Sequence, residues 1–474
     1  TGNRQEGEYA MSLFYRFFAS EFFSKFALLL SLIIISRKFA VSDFGVVSFI
    51  QILFFYAMMI TDQGINQIMI RELGKGTEFN KKTFQLILIR KLTVAVIIVV
   101  VVILYAHYFD AANRFVYIYY ILGILFYALN FNWYFIGIGK ALHASLINIV
   151  QTASFLISVL IAYYVMDLEK LEYFSLCYLV SMSIMAICSG LAFYKRFRML
   201  KERTIDHFDE IIMDSKRNFA SIVFVQIYVS SNMFLLYWLT DSTQVGYYSA
   251  AYRIINVITS VVSVAIVFFL PIYSKYFRWR DENDKNLIDR FLNITMYFSV
   301  LVVLGGILNG SEILNLVFGE DYASGNSIFM ILTLSSFLAI WNVVLGAMMQ
   351  AKGFQDKIMK LTGFVAGLNI LLSFPFILLS GGKGAALAGF ISELFIFIAY
   401  SLTISKFLTI KFNRPTISQI LLVTLLIAGQ IFSKVLEINV LLIIGFYGLV
   451  FLWLLKLKSG LLLLREKENV YGRT

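Results

Sequence analysis

The stretch VGYYSAAYRIINVITSVVSVAIVFFLP (245–271) is an apolar run of 27 residues carrying one cation, Arg253. About 20 apolar residues suffice to cross the hydrocarbon of a bilayer as a helix. The nearest acidic residues along the chain are Asp241 before the arginine and Asp281 after it. A charge so placed is tolerated, paired with something distant in sequence, or a working part. At 100° per residue, Ser249, Arg253, Asn256 and Ser260 share one narrow helical face. That face reads as a wet or protein-lined wall.

The rest of the chain repeats the pattern. Of 474 residues, 59% are hydrophobic and the mean hydropathy is +0.79, against about 45–50% apolar in soluble domains. The fold class is therefore an all-α polytopic membrane protein. A membrane barrel would instead show alternating segments of about ten residues. Fourteen spans are predicted, at 14–36, 44–70, 83–106, 115–138, 142–165, 171–194, 218–240, 245–271, 287–308, 326–350, 356–379, 384–408, 416–433 and 438–457. The longest connection, 195–217, carries KRFRMLKERTIDHFDE and divides the chain. The expected organisation is an N-terminal lobe of six helices (11–194), a cytoplasmic linker (195–217), a C-terminal lobe of six helices (218–408), and a helix pair with a cytoplasmic tail (409–474).

Lysine and arginine set the orientation. With the N-terminus cytoplasmic, the cytoplasmic segments hold 28 Lys and Arg and the opposite segments 6. This bias accounts for most of the net charge of +11 without nucleic acid. Cys177 and Cys188 lie eleven residues apart in one span, about 16 Å along a helix, too far for a disulfide. His107, His143 and His207 have no metal-ligand spacing, and no cofactor is expected. TGNRQEGEYA (1–10) precedes Met11, which fits a natural start. The apolar segment after it carries Glu21 and Lys25 and lacks a small-residue cleavage site, so it does not read as a signal peptide.

The two halves look related. FAS at 18–20 recurs at 219–221, and DFGVVS (43–48) aligns with QVGYYS (244–249) at the same offset of 201. Gly45 then matches Gly246. GIGK ending at Lys140 resembles MQAK ending at Lys352, at an offset of 212. Both halves start on one side, so the repeat is parallel, about an axis along the membrane normal.

Other intramembrane charges are candidates, since an ionised side chain at mid-bilayer costs about 2.5–3.5 kcal/mol on insertion scales. Glu21 and Lys25 are spaced i,i+4, which allows a self-neutralising pair; alternatively, Lys25 faces the same cavity as Arg253. Glu393, in GFISELFIF, either pairs with a cation from another helix or titrates during transport. In TDQGINQ (61–67), Asp62 sits at the interface, or Gly64 marks a bend. Arg90 and Lys91 enter the third span from the cytoplasm and are expected to snorkel. Two polar rows, Gln226/Ser230/Met233/Tyr237 and Thr362/Asn369/Ser373/Ser380, suit helix–helix hydrogen bonding, and Pro375 is expected to kink its helix.

VSDFGVVSFIQILFFYAMMITDQGINQIMIREL (41–73), VGYYSAAYRI (245–254) and SGGKGAALAGFISEL (380–394) resemble the polysaccharide flippases of the multidrug/oligosaccharidyl-lipid/polysaccharide exporter superfamily. Within it they look most like the Wzx-type O-antigen and capsule repeat-unit flippases. The resemblance implies two six-helix lobes that alternate access to a central cavity in a bacterial cytoplasmic membrane. It implies a polyprenyl-pyrophosphate-linked oligosaccharide as substrate, with cavity cations toward the pyrophosphate. Arg253 and Lys25 are the positions that carry over, with Asn256 and Ser249 beside them. Glu21, Glu393 and Asp62 remain for ion coupling or pairing. Membrane lipid and other polysaccharide-assembly proteins are the implied partners. Two other readings stay open. A multidrug antiporter of the same superfamily would favour carboxylates and aromatics over cations in its cavity. A membrane polymerase would need a catalytic set on a substantial loop, and the outward loops are short.

Overall fold

The computed structural model describes residues 20, 23–77, 79, 81–198, 208–279 and 282–407. Among these residues there are helices and no strand. A helix over 23–38 (α1) is followed by α2 (Val41–Asp62), α3 (Ile65–Gly74), α4 (Lys81–Phe109), α5 (Arg114–Ala128), α6 (Asn132–Gly137), α7 (Ala141–Leu160) and α8 (Glu172–Phe197). Then come α9 (Phe208–Leu239), α10 (Ser242–Trp279), α11 (Glu282–Phe318), α12 (Asn326–Ala351), α13 (Gln355–Ser380) and α14 (Gly382–Ile404). Ten helical stretches among the described residues are long and apolar enough to cross a membrane. The chain is a multi-pass helical membrane protein. The predicted spans 416–433 and 438–457, the tail, and Glu21 lie outside the described residues.

Two predicted spans are broken rather than continuous. The run 44–70 divides into α2 and α3 at Gln63 (φ 48°) and Gly64 (φ 76°). Glycine takes the left-handed region without a Cβ penalty, so Gly64 does mark a bend. The run 115–138 divides into α5 and α6 at 129–131. Asn130 and Asn132 bracket this break and help satisfy it. The Asn132 N–H donates to Asn130 Oδ1 (2.8 Å), and the Phe131 N–H donates to Ser189 Oγ on α8 (2.8 Å). Backbone donors freed in a membrane must find such partners. The interruption at 129–131 has neither the length nor the polarity of a loop, so the sequence pattern passes over it, whereas the polar TDQGINQ (61–67) marks the other. By contrast, α13 runs on through Pro375 to Ser380, so that proline does not end its helix.

Contacts divide the chain into two compact units, Tyr9–Gly246 and Tyr247 onward. This boundary falls in the first turns of α10, downstream of the segment 195–217. The physical reason is α9, which packs on α2, α3 and α4. In the first unit α5 also packs on α8, α4 and α2, and α7 on α8. Aromatic stacking fills its interior. Tyr120 lies on Tyr178 (4.0 Å between centroids), Phe54 meets both edge-on, and Phe49 stacks on Tyr237 (3.6 Å). In the second unit α12 packs on α14 and α11, and α13 on α14.

Helix starts recur at the offsets read from the sequence. Val41 and Ser242 open α2 and α10, 201 apart. Arg114 and Asn326 open α5 and α12, 212 apart. The extra residues lie between, where α11 carries a kink at Asn309 and a 3-10 turn spans Glu320–Gly325. The glycine match has a packing cause. A Cβ on Gly45 would overlap the Ser242 carbonyl oxygen, and one on Gly246 would overlap that of Val41. The two contacts exchange partners under the offset of 201. Glycine is required at both positions because a helix backbone passes within contact distance.

Candidate functional site

Arg253 lies eleven residues into α10, and Glu393 lies eleven residues into α14. Both helices would start from the same side of the membrane under the predicted topology. Arg253 is half-buried, as is Glu393. The carboxylate of Glu393 accepts a hydrogen bond from Asn342 Nδ2 of α12 at 2.6 Å, and the same amide donates to the Glu393 carbonyl at 2.9 Å. Tyr252, adjacent to Arg253, is within electrostatic reach of Glu393. Three helices of the second unit thus bring polar groups together within an apolar segment. Asn342 is almost fully buried. It was legible in the sequence only as a lone amide in the apolar run SSFLAIWNVVLGAMM (335–349), and its partner was not.

The predicted row on α10 separates by environment. Ser249 is fully buried, Ser260 is half-buried with its hydroxyl on the Val257 carbonyl, and Asn256 is exposed. Lys25 is exposed on α1; Glu21, its proposed partner, is outside the described residues. Lys25 and the α10 row belong to different units.

The first unit houses its charges at the α2–α3 break. Lys91 of α4 is 3% exposed, and its ammonium donates to Asp62 at 2.9 Å and to Asn66. The Trp133 ring stands 5.7 Å from the same nitrogen. Arg90, next to it, donates through Nε and Nη2 to Gln63 Oε1. Of the two roles expected for Asp62, coupling or pairing, it makes an ion pair here. One expectation is corrected: Lys91 is buried rather than snorkelling. The break explains both, because it turns Asp62, Gln63 and Asn66 toward α4 instead of continuing them around a helix. A second network missed by sequence reading ties the opposite end of this unit. Tyr117 and Tyr237 meet at 2.8 Å, and each donates to Asp110 Oδ2 at 3.1 Å.

Outside the apolar segments, Arg71 donates to Asp214 of α9 and to Glu72. The hydrogen bond to Asp214, then that to Glu72, raises the Arg71 pKa above its ordinary value. Glu72 is held below the usual carboxylate value by the hydrogen bond from Lys75 and, second, by Arg71. Of the two predicted polar rows, the one on α13 makes a helix–helix hydrogen bond, while the bond within the α9 row stays inside its own helix. Gln226 donates to Ser230 (2.6 Å), and Asn369 of α13 donates to Ser392 of α14 (2.9 Å). No group of three His, Cys, Asp or Glu that could hold a metal occurs among the described residues.

Comparison with known proteins adds three findings. Residues 16–277, more than half of the chain, match the family model described as polysaccharide biosynthesis protein. A "probable low-salt glycan biosynthesis flippase Agl15" of Haloferax volcanii is 27% identical over 200 residues, 41% of this chain and 42% of that protein. The match therefore spans less than half the length of that relative. Among solved structures, a lipid II flippase, MurJ, in an inward closed conformation superposes with a TM-score of 0.71 at 16% identity, covering 92% of this chain and 97% of its own. An inward-facing multidrug resistance MATE transporter of the MOP superfamily gives 0.62 at 15%, covering 81% and 95%. A MOP superfamily transporter from Pyrococcus furiosus gives 0.55 at 15%, covering 83% and 96%. At these identities the structural likeness is one of fold.

Proposed function

We propose, on the premise that the chain belongs to the polysaccharide biosynthesis protein family, that it is a flippase. Its substrate is an oligosaccharide repeat unit carried on polyprenyl pyrophosphate, moved from the cytoplasmic to the outer leaflet of a bacterial cytoplasmic membrane, with both termini cytoplasmic. The observation that carries the reading is a cation, Arg253, held mid-helix in a chain of that family.

The physical obstacle to flipping is the passage of sugar hydroxyls and phosphates through hydrocarbon. A polar path through the protein removes it, while the polyprenyl tail stays in lipid. Arg253, with Lys25, supplies positive charge for the pyrophosphate, and Asn256 and Ser249 stand on the same face of α10. Export of an anion also runs with a cytoplasm-negative potential, at about 2.3 kcal/mol per charge per 100 mV. Glu393, hydrogen-bonded to Asn342, is the residue to test for ion coupling. Glu21 and Asp62 are weaker choices, Asp62 because it already neutralises Lys91.

The test is Arg253→Ala in the native host, with protein level monitored. The expected result is loss of surface polysaccharide and accumulation of lipid-linked repeat units on the cytoplasmic side. Normal polysaccharide at normal protein level overturns the role of Arg253. A multidrug antiporter is the second reading, favoured by the MATE-like fold and by Glu393. It predicts instead that deleting the protein sensitises the host to cationic drugs and leaves polysaccharide unchanged.

A further inference from the structure

A separate basic pocket lies at the far ends of α10 and α12, within the second unit. Its volume is about 580 Å³, and Ser274, Lys275, Phe277, Arg278, Trp279 and Lys352 line it. That size falls in the range of small-ligand sites. We propose that this pocket binds the phosphate-bearing headgroup of a membrane lipid.

Depth is the first argument. The 38 residues of α10 extend about 57 Å at 1.5 Å per residue, and the hydrocarbon core is only about 30 Å thick. The apolar stretch of α10 ends at Pro271. The residues lining the pocket begin three positions later, so they stand about 5–12 Å further along the helix, at the level of headgroups. Trp279, 70% exposed, is the residue type that settles at that interface.

Charge is the second. Among the described residues, three cations from two helices line the cavity and no acidic residue does. Asp284, on α11, takes one of them, Lys275, at 3.3 Å. The bland alternative is that these cations only complement the negative ends of two helices. Lys352 does cap α12, yet its ammonium is held over aromatic faces, 5.6 Å from Phe277 and 5.1 Å from Phe407. A cation fixed on rings that cannot neutralise it keeps its capacity for an anion. Arg278 brings a planar fork suited to bidentate phosphate recognition. Basic pockets between membrane helices at this level are built for anionic headgroups.

The headgroup has two sources, an ordinary anionic phospholipid and the polyprenyl pyrophosphate of the proposed substrate. Only the second rests on the transport reading, so binding is measured without transport. The full chain, purified in detergent, is titrated with phosphatidylglycerol, undecaprenyl pyrophosphate or phosphatidylcholine, and bound lipid is counted by native mass spectrometry. Replacing Arg278 and Lys352 together by Ala is expected to weaken binding of an anionic lipid at least about tenfold, with phosphatidylcholine unaffected. The pair Arg278→Lys and Lys352→Arg is expected to retain most of it. Loss for both anionic lipids assigns the pocket to phospholipid, and loss for the pyrophosphate alone assigns it to substrate. Should the double alanine variant fail to fold, Ser274→Glu adds a negative charge to the lining and is expected to weaken the same lipids. Unchanged anionic binding in a folded variant, or an equal loss of phosphatidylcholine, overturns the proposal.

Discussion

The segment α2–α3 and the helix α10 occupy equivalent places in the two halves, and they solve one problem in opposite ways. The first bends at Gln63–Gly64, while the second runs unbroken for 38 residues. At the offset of 201, Asp62, Gln63, Gly64 and Asn66 become Ser263, Val264, Ala265 and Val267, and Arg90 and Lys91 become Phe291 and Leu292. Every polar member of the first unit's cluster except Asp62 meets an apolar residue in the second. Conversely, Arg253 meets Ile52 in the first. The break and the ion pair therefore belong together. A bend releases backbone groups and aims three polar side chains at α4, which makes burying Lys91 tolerable. Without a bend, α10 places its cation on a face shared with small polar residues, and Glu393 is held by an amide from another helix. The scaffold is common, while the charges are local additions to each half.

The sharpest way to break this comparison is Lys91→Ala. It leaves Asp62 buried without its cation, and about 3–5 kcal/mol of stability is expected to be lost, read as thermal unfolding in detergent. The double change Asp62→Leu with Lys91→Met is expected to recover most of that loss. Next in size is Asn342→Ala, which removes the donor to a carboxylate in the second unit, where hydrogen bonds to charged groups contribute about 1.5–3 kcal/mol. If Asn342→Ala exceeds Lys91→Ala, the first unit does not carry the more heavily buried pair. Gly64→Ala should cost about 1–2 kcal/mol, the left-handed penalty for a residue with a Cβ. The same change of state at the unbroken Ala265, to Gly, is expected to cost about 1 kcal/mol for the opposite reason.

The smallest effect is expected at Glu72→Gln, on the polar end of α3. Glu72 titrates below its ordinary value of 4.5 in the folded chain. Its contribution is thus complete above pH 4.5 and disappears as pH falls through the lower folded value. Melting curves of wild type and Glu72→Gln should differ slightly at pH 7 and converge in acid. A difference that grows on acidification would reverse the sign of the Lys75 and Arg71 interactions.

Sequence reading reached the helices and, of their interruptions, only the bend at Gly64, as one of two alternatives. Spans 326–350 and 356–379 appear as α12 and α13 within a residue at each end, because an apolar run bounded by polar turns is a local signal. The break at 129–131 is invisible to hydropathy, since the residues around it are largely apolar, whereas the polar stretch TDQGINQ (61–67) points to the other. Among candidate residues, Arg253 and Glu393 were conspicuous as isolated charges. Asn342, Tyr252 and the Asp110–Tyr117–Tyr237 network were not, because an amide or a phenol in an apolar run is ordinary until its partner is known.

What the sequence determined by itself is the class, a helical membrane protein of many spans with a twofold internal register. Hydropathy and small-residue spacing are written residue by residue, and the bilayer permits few other solutions. What only the tertiary structure decided is the fate of each charge. Lys91 and Asp62 are 29 residues apart, Arg71 and Asp214 are 143 apart, and Asn342 and Glu393 are 51 apart. Whether an intramembrane charge is neutralised or available depends on which helix faces it. That is set by the packing of whole helices, which no local stretch specifies.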